Sequence, residues 1–284
     1  MSEAAAIIVF GLLSGLMVWV AWRRGFFVFD HQPWEVPVRF AHVAVAFAIY
    51  FASTFLSSYF FLFLQNKGIF KSTISLASWF NFSASSFVLI GFIILLLILP
   101  KKIRSGIWRR PTNAPKTVFQ DIWVALFAWA VAFPLVLFLS QLLELFLSFF
   151  FNIEQLPDQV AVKFLKMTFE HPLYFILSVF SIVVLAPLIE ETLFRGFLQT
   201  FIRQHLGSKQ AIWITSACFS FFHYSSEQGM GNIPIIGSLF VLALFLGYLY
   251  ERQRTLMAPM ALHASFNAIS VMNIYFLGGY AGGI

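Results

Sequence analysis

Charge is what this 284-residue sequence most lacks: Asp, Glu, Lys and Arg make up only 11% of it. A soluble domain carries roughly 25%, so a water-soluble globular chain is excluded. Cysteine is almost absent too. The single Cys218 rules out an intramolecular disulfide and leaves the redox compartment unreadable. The first ten residues, MSEAAAIIVF, have no basic segment, and the first apolar run ends in Arg23-Arg24, so no cleavable signal peptide is expected. Internal repeats, Gly/Ser linkers and low-complexity tracts are also missing, and there is no H-E-x-x-H pattern of the kind that sets two zinc-binding histidines on one helix.

What is present is apolar. Hydrophobic residues reach 60%, with 38 Phe and 8 Trp, and mean hydropathy is +0.84. The apolar residues fall in runs near the ~20 residues that a helix needs to cross a bilayer. The composition therefore predicts an all-α, polytopic transmembrane helical bundle. About eight spans are expected, near 4–22, 40–64, 79–100, 121–145, 172–196, 210–226, 233–250 and 256–278. The fifth continues as a helical pattern to about Leu206. Residues 152–172 read as an external loop with a short amphipathic helix at the interface. Residues 1–150 are expected to be accessory transmembrane helices and 151–284 the functional core of one integral membrane unit.

The net charge of +6 does not signal nucleic acid, because the basic residues lie in short loops between spans. With both termini outside, fourteen of the eighteen Lys/Arg fall on the cytoplasmic side, six of them in the loop 101–116; only Lys67, Lys71, Lys163 and Lys166 fall outside. That asymmetry follows the positive-inside rule.

Ionisable groups inside apolar spans are costly to insert and mark function by default. Residues 172–188 carry no charge, yet Ile189-Glu190-Glu191-Thr192-Leu193-Phe194-Arg195-Gly196 follows directly. On a helix Glu191 and Arg195 share a face and can pair, while Glu190 points about 100° away without that partner. Pro187 is expected to kink the helix or free a carbonyl beside the acid, and Gly196 to allow close helix approach. His223 lies on the sixth span. His263 and Asn267 share one face of the eighth. A carboxylate, an imidazole and an imidazole with an amide, from three helices, suffice for peptide hydrolysis: a general base for water, a proton shuttle and donors for an oxyanion.

Each group also has a plainer reading. Glu191 and Arg195 make a structural ion pair on their own, Glu190 an interfacial acid, and His223 a core histidine. His42 and Glu144, with Ser140 one turn before it, read as interfacial. His31, His171 and His205 carry no signal, and Cys218 is five residues from His223, a poor helical offset for a nucleophile and its base. Counted along straight helices at ~1.5 Å per residue, Glu190, His223 and His263 would sit ~28, ~21 and ~14 Å deep. They converge only if the fifth helix tilts or breaks.

Glu190-Glu191-Thr192-Leu193-Phe194-Arg195-Gly196 resembles the EExxxR signature of the CPBP intramembrane protease family, which includes CAAX prenyl endopeptidases and bacteriocin-processing or immunity proteins. Phe219-Ser220-Phe221-Phe222-His223 resembles its FxxxH motif, and His263-Ala264-Ser265-Phe266-Asn267 its HxxxN motif. The resemblance covers roughly 172–278. It implies Glu190 as activator of the attacking water with His223 assisting, His263 and Asn267 at the oxyanion, and Glu191 and Arg195 in support.

Members are commonly labelled metalloproteases, and Glu190, His223 and His263 would make a His₂Glu zinc set. Each would come from a different helix, with no evident carboxylate behind either histidine. Metal-free glutamate catalysis is therefore expected, with zinc on those three residues as the alternative. The expected partners are membrane lipids and a membrane-anchored or prenylated peptide, in a bacterial plasma membrane or, in a eukaryote, the endoplasmic reticulum. A non-catalytic scaffold or immunity protein and a proton-coupled transporter are the competing readings. In a Cys218→Ser background, Lys67→Cys should react with a membrane-impermeant thiol reagent from outside intact cells and Lys102→Cys should not. The reverse pattern inverts the topology.

Overall fold

The computed structural model describes residues 3–28, 36–70, 72–108, 117–153 and 156–278. Among these the chain is helical throughout: α1 (Glu3–Arg23), α2 (Phe40–Asn66), α3 (Thr73–Ile98), α4 (Lys101–Trp108), α5 (Val118–Phe151), α6 (Val160–Met167), α7 (Pro172–Phe180), α8 (Ala186–Glu191), α9 (Thr200–Phe221), α10 (Asn232–Gln253) and α11 (Met257–Gly278). Two π-helical stretches, Ser181–Leu185 and Thr192–Gln199, join α7, α8 and the first turns of α9 into one rod that ends at Gly207. The all-α membrane bundle read from composition is what the chain forms. His31, Lys71, Arg109, Arg110 and Lys116 lie outside the described residues.

Large apolar side chains point outwards, among them Phe55, Tyr59, Leu97, Ile98 and Phe149. Small or polar residues such as Ser57, Ser78, Ala84, Ala128, Ala132 and Ala243 lie inside. This is the pattern of a chain whose solvent is lipid, where burying Leu against Leu gains little and close backbone approach through small residues gains more. Five stretches are long and apolar enough to cross a membrane: Phe40–Asn66, Thr73–Ile98, Val118–Phe151, Pro172–Phe221 and Ser226–Gln253. The apolar part of α1 (Ile7–Arg23) is shorter, and α11 is not among the five. The expected fifth and sixth spans share the single stretch Pro172–Phe221.

That stretch reverses direction at Gly207. There φ is +82° and ψ 170°, outside the helical region, in an otherwise helical run. The ring of Phe194 consequently packs 5.2 Å from Phe219 and 5.4 Å from Phe222, residues 25 and 28 positions further along. A straight helix would hold them roughly 40 Å apart at ~1.5 Å per residue. The reversal makes an antiparallel hairpin in which residue 190 comes level with residue 223.

α10 is the central helix, packed on α5, α9 and α11. Polar bonds fasten the end of the bundle where α10 finishes. Gln199 Nε2 donates to the Gly247 carbonyl and to Glu251, both at 3.0 Å. Tyr250 Oη donates to the Ile107 carbonyl at 3.0 Å, and Arg252 and Tyr248 both bond the Phe26 carbonyl. Two hydrophobic cores flank α10. One joins α2, α3 and α4 to the α8–α9 hairpin; the other joins α1 and α5 to α10 and α11. Both draw side chains from each side of residue 150. Gly196 permits the close approach expected of it, because a Cβ there would meet the Ile107 side chain of α4 at 2.9 Å. The short helix expected within 152–172 is α6, tied by the Lys166–Asp158 pair at 2.7 Å.

A Cβ at Gly207 would have room, its nearest neighbour being Gln210 Oε1 at 3.6 Å. Strain alone then decides the effect of a substitution. Gly207→Ala should cost about 1–3 kcal/mol, read as a lower unfolding midpoint in detergent. Gly15→Ala, on the helical α1 with nothing within 4 Å, should be neutral or stabilise by up to ~1 kcal/mol.

Candidate active site

The six polar residues singled out in the sequence come together where α8, the second π stretch, the end of α9 and α11 meet. Glu191 and Arg195 pair as their spacing predicts, Arg195 Nη1 donating to Glu191 Oε1 at 3.1 Å, with both side chains fully buried. The guanidinium is held further by the Ala243 carbonyl of α10, 3.1 Å from Nη2, and by the face of Phe219, 4.5 Å below it. His263 Nδ1 lies 2.9 Å from the same Glu191 oxygen. One carboxylate oxygen thus ties α8, the π stretch and α11 together.

This contact corrects the reading that neither histidine has a carboxylate behind it: Glu191 backs His263. No local spacing points to it, because the partners are 72 residues apart. It also fixes the ring. Beside an ionised carboxylate, which only accepts hydrogen bonds, the Nδ1 of His263 is the donor. His223 is set the same way, its Nδ1 being 2.8 Å from the Phe219 carbonyl. Both Nε2 atoms then turn towards Glu190 Oε2, at 3.8 Å for His223 and 3.9 Å for His263. That oxygen is buried and has no hydrogen-bond partner among the described residues.

Asn267 Nδ2 donates to the Ile182 carbonyl at 2.8 Å. The reason lies in Pro187. In the π stretch, Ala186 N–H bonds to the carbonyl five residues back, that of Ser181. The next donor in that register would be residue 187, reaching Ile182, but proline has no N–H. The freed carbonyl expected beside the acid is therefore Ile182, and Asn267 takes it. One Nδ2 hydrogen of Asn267 remains.

The unequal depths are reconciled by irregular backbone. A π stretch takes more residues per turn and so advances less per residue, which shortens the rod between Gly207 and Glu190. The other histidines stand apart from the site: His42 caps α2 by accepting from the Arg39 N–H at 3.0 Å, His205 contacts the Phe201 carbonyl, and His171 packs against Tyr174. Cys218 is exposed. Ser140 donates to Glu144 at 2.9 Å within α5, away from these residues.

The donor types suit zinc. Zinc–ligand bonds of about 2.0 Å place tetrahedral ligands roughly 3.3 Å apart, whereas the two Nε2 atoms lie 3.8 and 3.9 Å from Glu190 Oε2. Among the described residues no group of three or more His, Cys, Asp or Glu is arranged to hold a metal ion.

An all-α membrane bundle in which an unpartnered buried carboxylate faces two oriented imidazoles defines a class: a candidate intramembrane hydrolase. Residues 172–269, about a third of the chain, match the family model for type II CAAX prenyl endopeptidase Rce1-like. This domain includes all six residues and supports the CPBP, or CAAX protease, family for the chain. No curated protein and no solved structure matches it.

Breaking a buried pair leaves the surviving charge uncompensated, at a cost of about 3–5 kcal/mol. Arg195→Met should therefore lower the unfolding midpoint in detergent markedly. Glu190→Gln, which leaves this pair intact, should lower it little or not at all. Equal midpoints for both variants would remove the ion pair from the supports of the fold.

Proposed function

We propose that this protein is an intramembrane endopeptidase that hydrolyses a peptide bond of a membrane-anchored substrate, of the CAAX-type prenylated class, by water activated on Glu190. The observation that carries this reading is the convergence on Glu190 Oε2. Glu190, His223 Nε2 and His263 Nε2 are all acceptors when the carboxylate is ionised and the rings neutral. Three acceptors within 4 Å leave a place for a donor, and water has two O–H bonds to give. Its oxygen lone pair then remains for attack.

In the reaction, the water oxygen bonds to the scissile carbonyl carbon while one water proton passes to Glu190. The carbonyl becomes an oxyanion, towards which the remaining hydrogen of Asn267 Nδ2 is available. Glu190 then delivers the proton to the leaving amide nitrogen as the C–N bond breaks, and is ionised again for the next turnover. His223 accepts the water's other O–H bond and orients it, while His263 is held in place by Glu191. Arg195 pairs with Glu191 and acts on the chemistry only through it. No step runs through a metal.

The natural place for the scissile bond is beside α8, where a lipid-anchored peptide can present its chain without either partner leaving the bilayer. A prenyl group would remain in the apolar phase. Its transfer from water is unnecessary, and positioning the peptide becomes the main cost of binding.

Purified protein in detergent should cut a farnesylated CAAX peptide, and Glu190→Gln should lower kcat by about 10²–10⁴-fold, the usual contribution of a general base. A metal chelator should leave wild-type cutting unchanged. Loss on chelation with recovery on adding zinc would replace the glutamate mechanism with a metal one. Wild-type protein that cuts neither this peptide nor an unprenylated transmembrane peptide would overturn the protease reading.

A further inference from the structure

Helix α4 is cationic on one side and apolar on the other. Ile103, Gly106 and Ile107 are buried, whereas Lys101, Lys102 and Ser105 are exposed and Arg104 is partly so. It does not continue α3, because Leu99 between them is extended, with φ −66° and ψ 146°. Leu97 and Ile98, at the end of α3, turn large apolar side chains outwards; Lys101 and Lys102 follow within one turn, and the exposed Trp108 closes α4. Apolar surface giving way to lysine beside a tryptophan marks the edge of a bilayer.

Two further cations stand at the same end. A Cβ at Gly106 would meet the Val36 side chain at 2.6 Å, and Arg39, three residues further on, is exposed just before α2. The Val38 carbonyl accepts from Gln204 Nε2 at 3.1 Å, which brings the hairpin tip, with its exposed Lys209, alongside. None of Arg39, Lys101, Lys102, Arg104 and Lys209 has an acidic partner among the described residues. The acids Asp121 and Glu251 at this end are buried. The surface shows one sign of charge.

The buried side of α4 reaches the helices of the site. Ile103 and Ile107 share one core with Ile189, Leu193, Phe194 and Phe197 of the rod. The Ile107 carbonyl accepts from Tyr250 Oη at 3.0 Å, and the Trp108 carbonyl from the Leu256 N–H at 3.0 Å, in the turn between α10 and α11. α4 thus brackets the rod, which carries Glu190, Glu191 and Arg195, against the start of α11, which carries His263. Positive-inside asymmetry asks only that cations lie on one side of the membrane. It does not ask that they be unpaired, gathered on one surface and seated on the core of the site.

We propose that α4, with Arg39 and Lys209 beside it, is a docking surface for anionic phospholipid headgroups. Lys101, Lys102 and Arg104 take the headgroup phosphates, Trp108 sits at headgroup level, and Ile103 and Ile107 stay in the core. Each lysine or arginine near an anionic lipid surface gains about fivefold in affinity. A headgroup bound across α4 is a ligand of the folded state, since unfolding scatters these charges, and it therefore stabilises the bundle by mass action. α4 lies outside the matched segment 172–269, and the inference stands whether or not the protein is a hydrolase.

The test is binding, on full-length protein in a nonionic detergent at low salt. Titration with phosphatidylglycerol should raise the unfolding midpoint to a plateau, from which an apparent Kd is read, and phosphatidylcholine should leave it unchanged. Lys101→Gln, Lys102→Gln and Arg104→Gln combined should weaken that Kd roughly 100-fold, three charges at about fivefold each, with the lipid-free midpoint unchanged. Lys67→Gln with Lys163→Gln, at the other end of the bundle, should bind as wild type does. For wild type alone, raising salt from about 50 to about 500 mM should weaken binding at least about tenfold by screening. Equal rises with the two lipids, no effect of salt, or a triple variant within about threefold of wild type overturns the assignment. A rise of the same size with inorganic phosphate makes this a free-anion site and overturns it too.

Discussion

Everything at this site hangs on one buried ion pair. Glu191 and Arg195 have no water to solvate them, and taking each charge into so apolar a place is expensive. The chain offsets the cost by giving both groups several partners. Arg195 reaches Glu191, a backbone carbonyl on α10 and the face of Phe219, and Glu191 reaches Arg195 and His263. The result is directional. Loose apolar packing would let these helices slide, since one lipid-like surface resembles another, whereas a shared carboxylate oxygen permits one register. The pair thus fixes the orientation of His263 and leaves its neighbour Glu190 facing His223 and His263.

Irregular backbone is the second constraint. A regular helix from Pro172 to Phe221 would span far more than a bilayer and would carry Glu190 away from His223. Two π stretches and the reversal at Gly207 fold that length into a hairpin. π segments recur at functional sites for the reason visible here: they release carbonyls and rotate side chains that a regular helix would bury in its own ladder. The Ile182 carbonyl, left over by Pro187 and taken by Asn267, links the strain of one helix to the placement of a polar side chain on another.

The two hydrophobic cores show why the N-terminal half matters to the site although it carries none of its motifs. α2 and α4 close one side of the hairpin, with Phe47 against Phe194 and Ile107 against Gly196. α5 closes the other side through α10 and α11. A carboxylate kept from bulk water, as Glu191 is, keeps its electrostatic interactions strong, and that enclosure is contributed by helices on both sides of residue 150.

Composition alone determined the solvent of this protein and hence its secondary structure, because in hydrocarbon every backbone group must be bonded within the segment, and helices do that. Local spacing determined the Glu191–Arg195 pair, the shared face of His263 and Asn267, and a carbonyl freed near Pro187, since each depends on neighbours within one or two turns. Only the tertiary structure decided that His263 leans on Glu191 and that Asn267 is bonded to Ile182. These depend on the register of helices far apart in sequence, which a stripe of Phe and Leu does not encode: an apolar face fits many partners in lipid, and a few buried polar contacts choose among them.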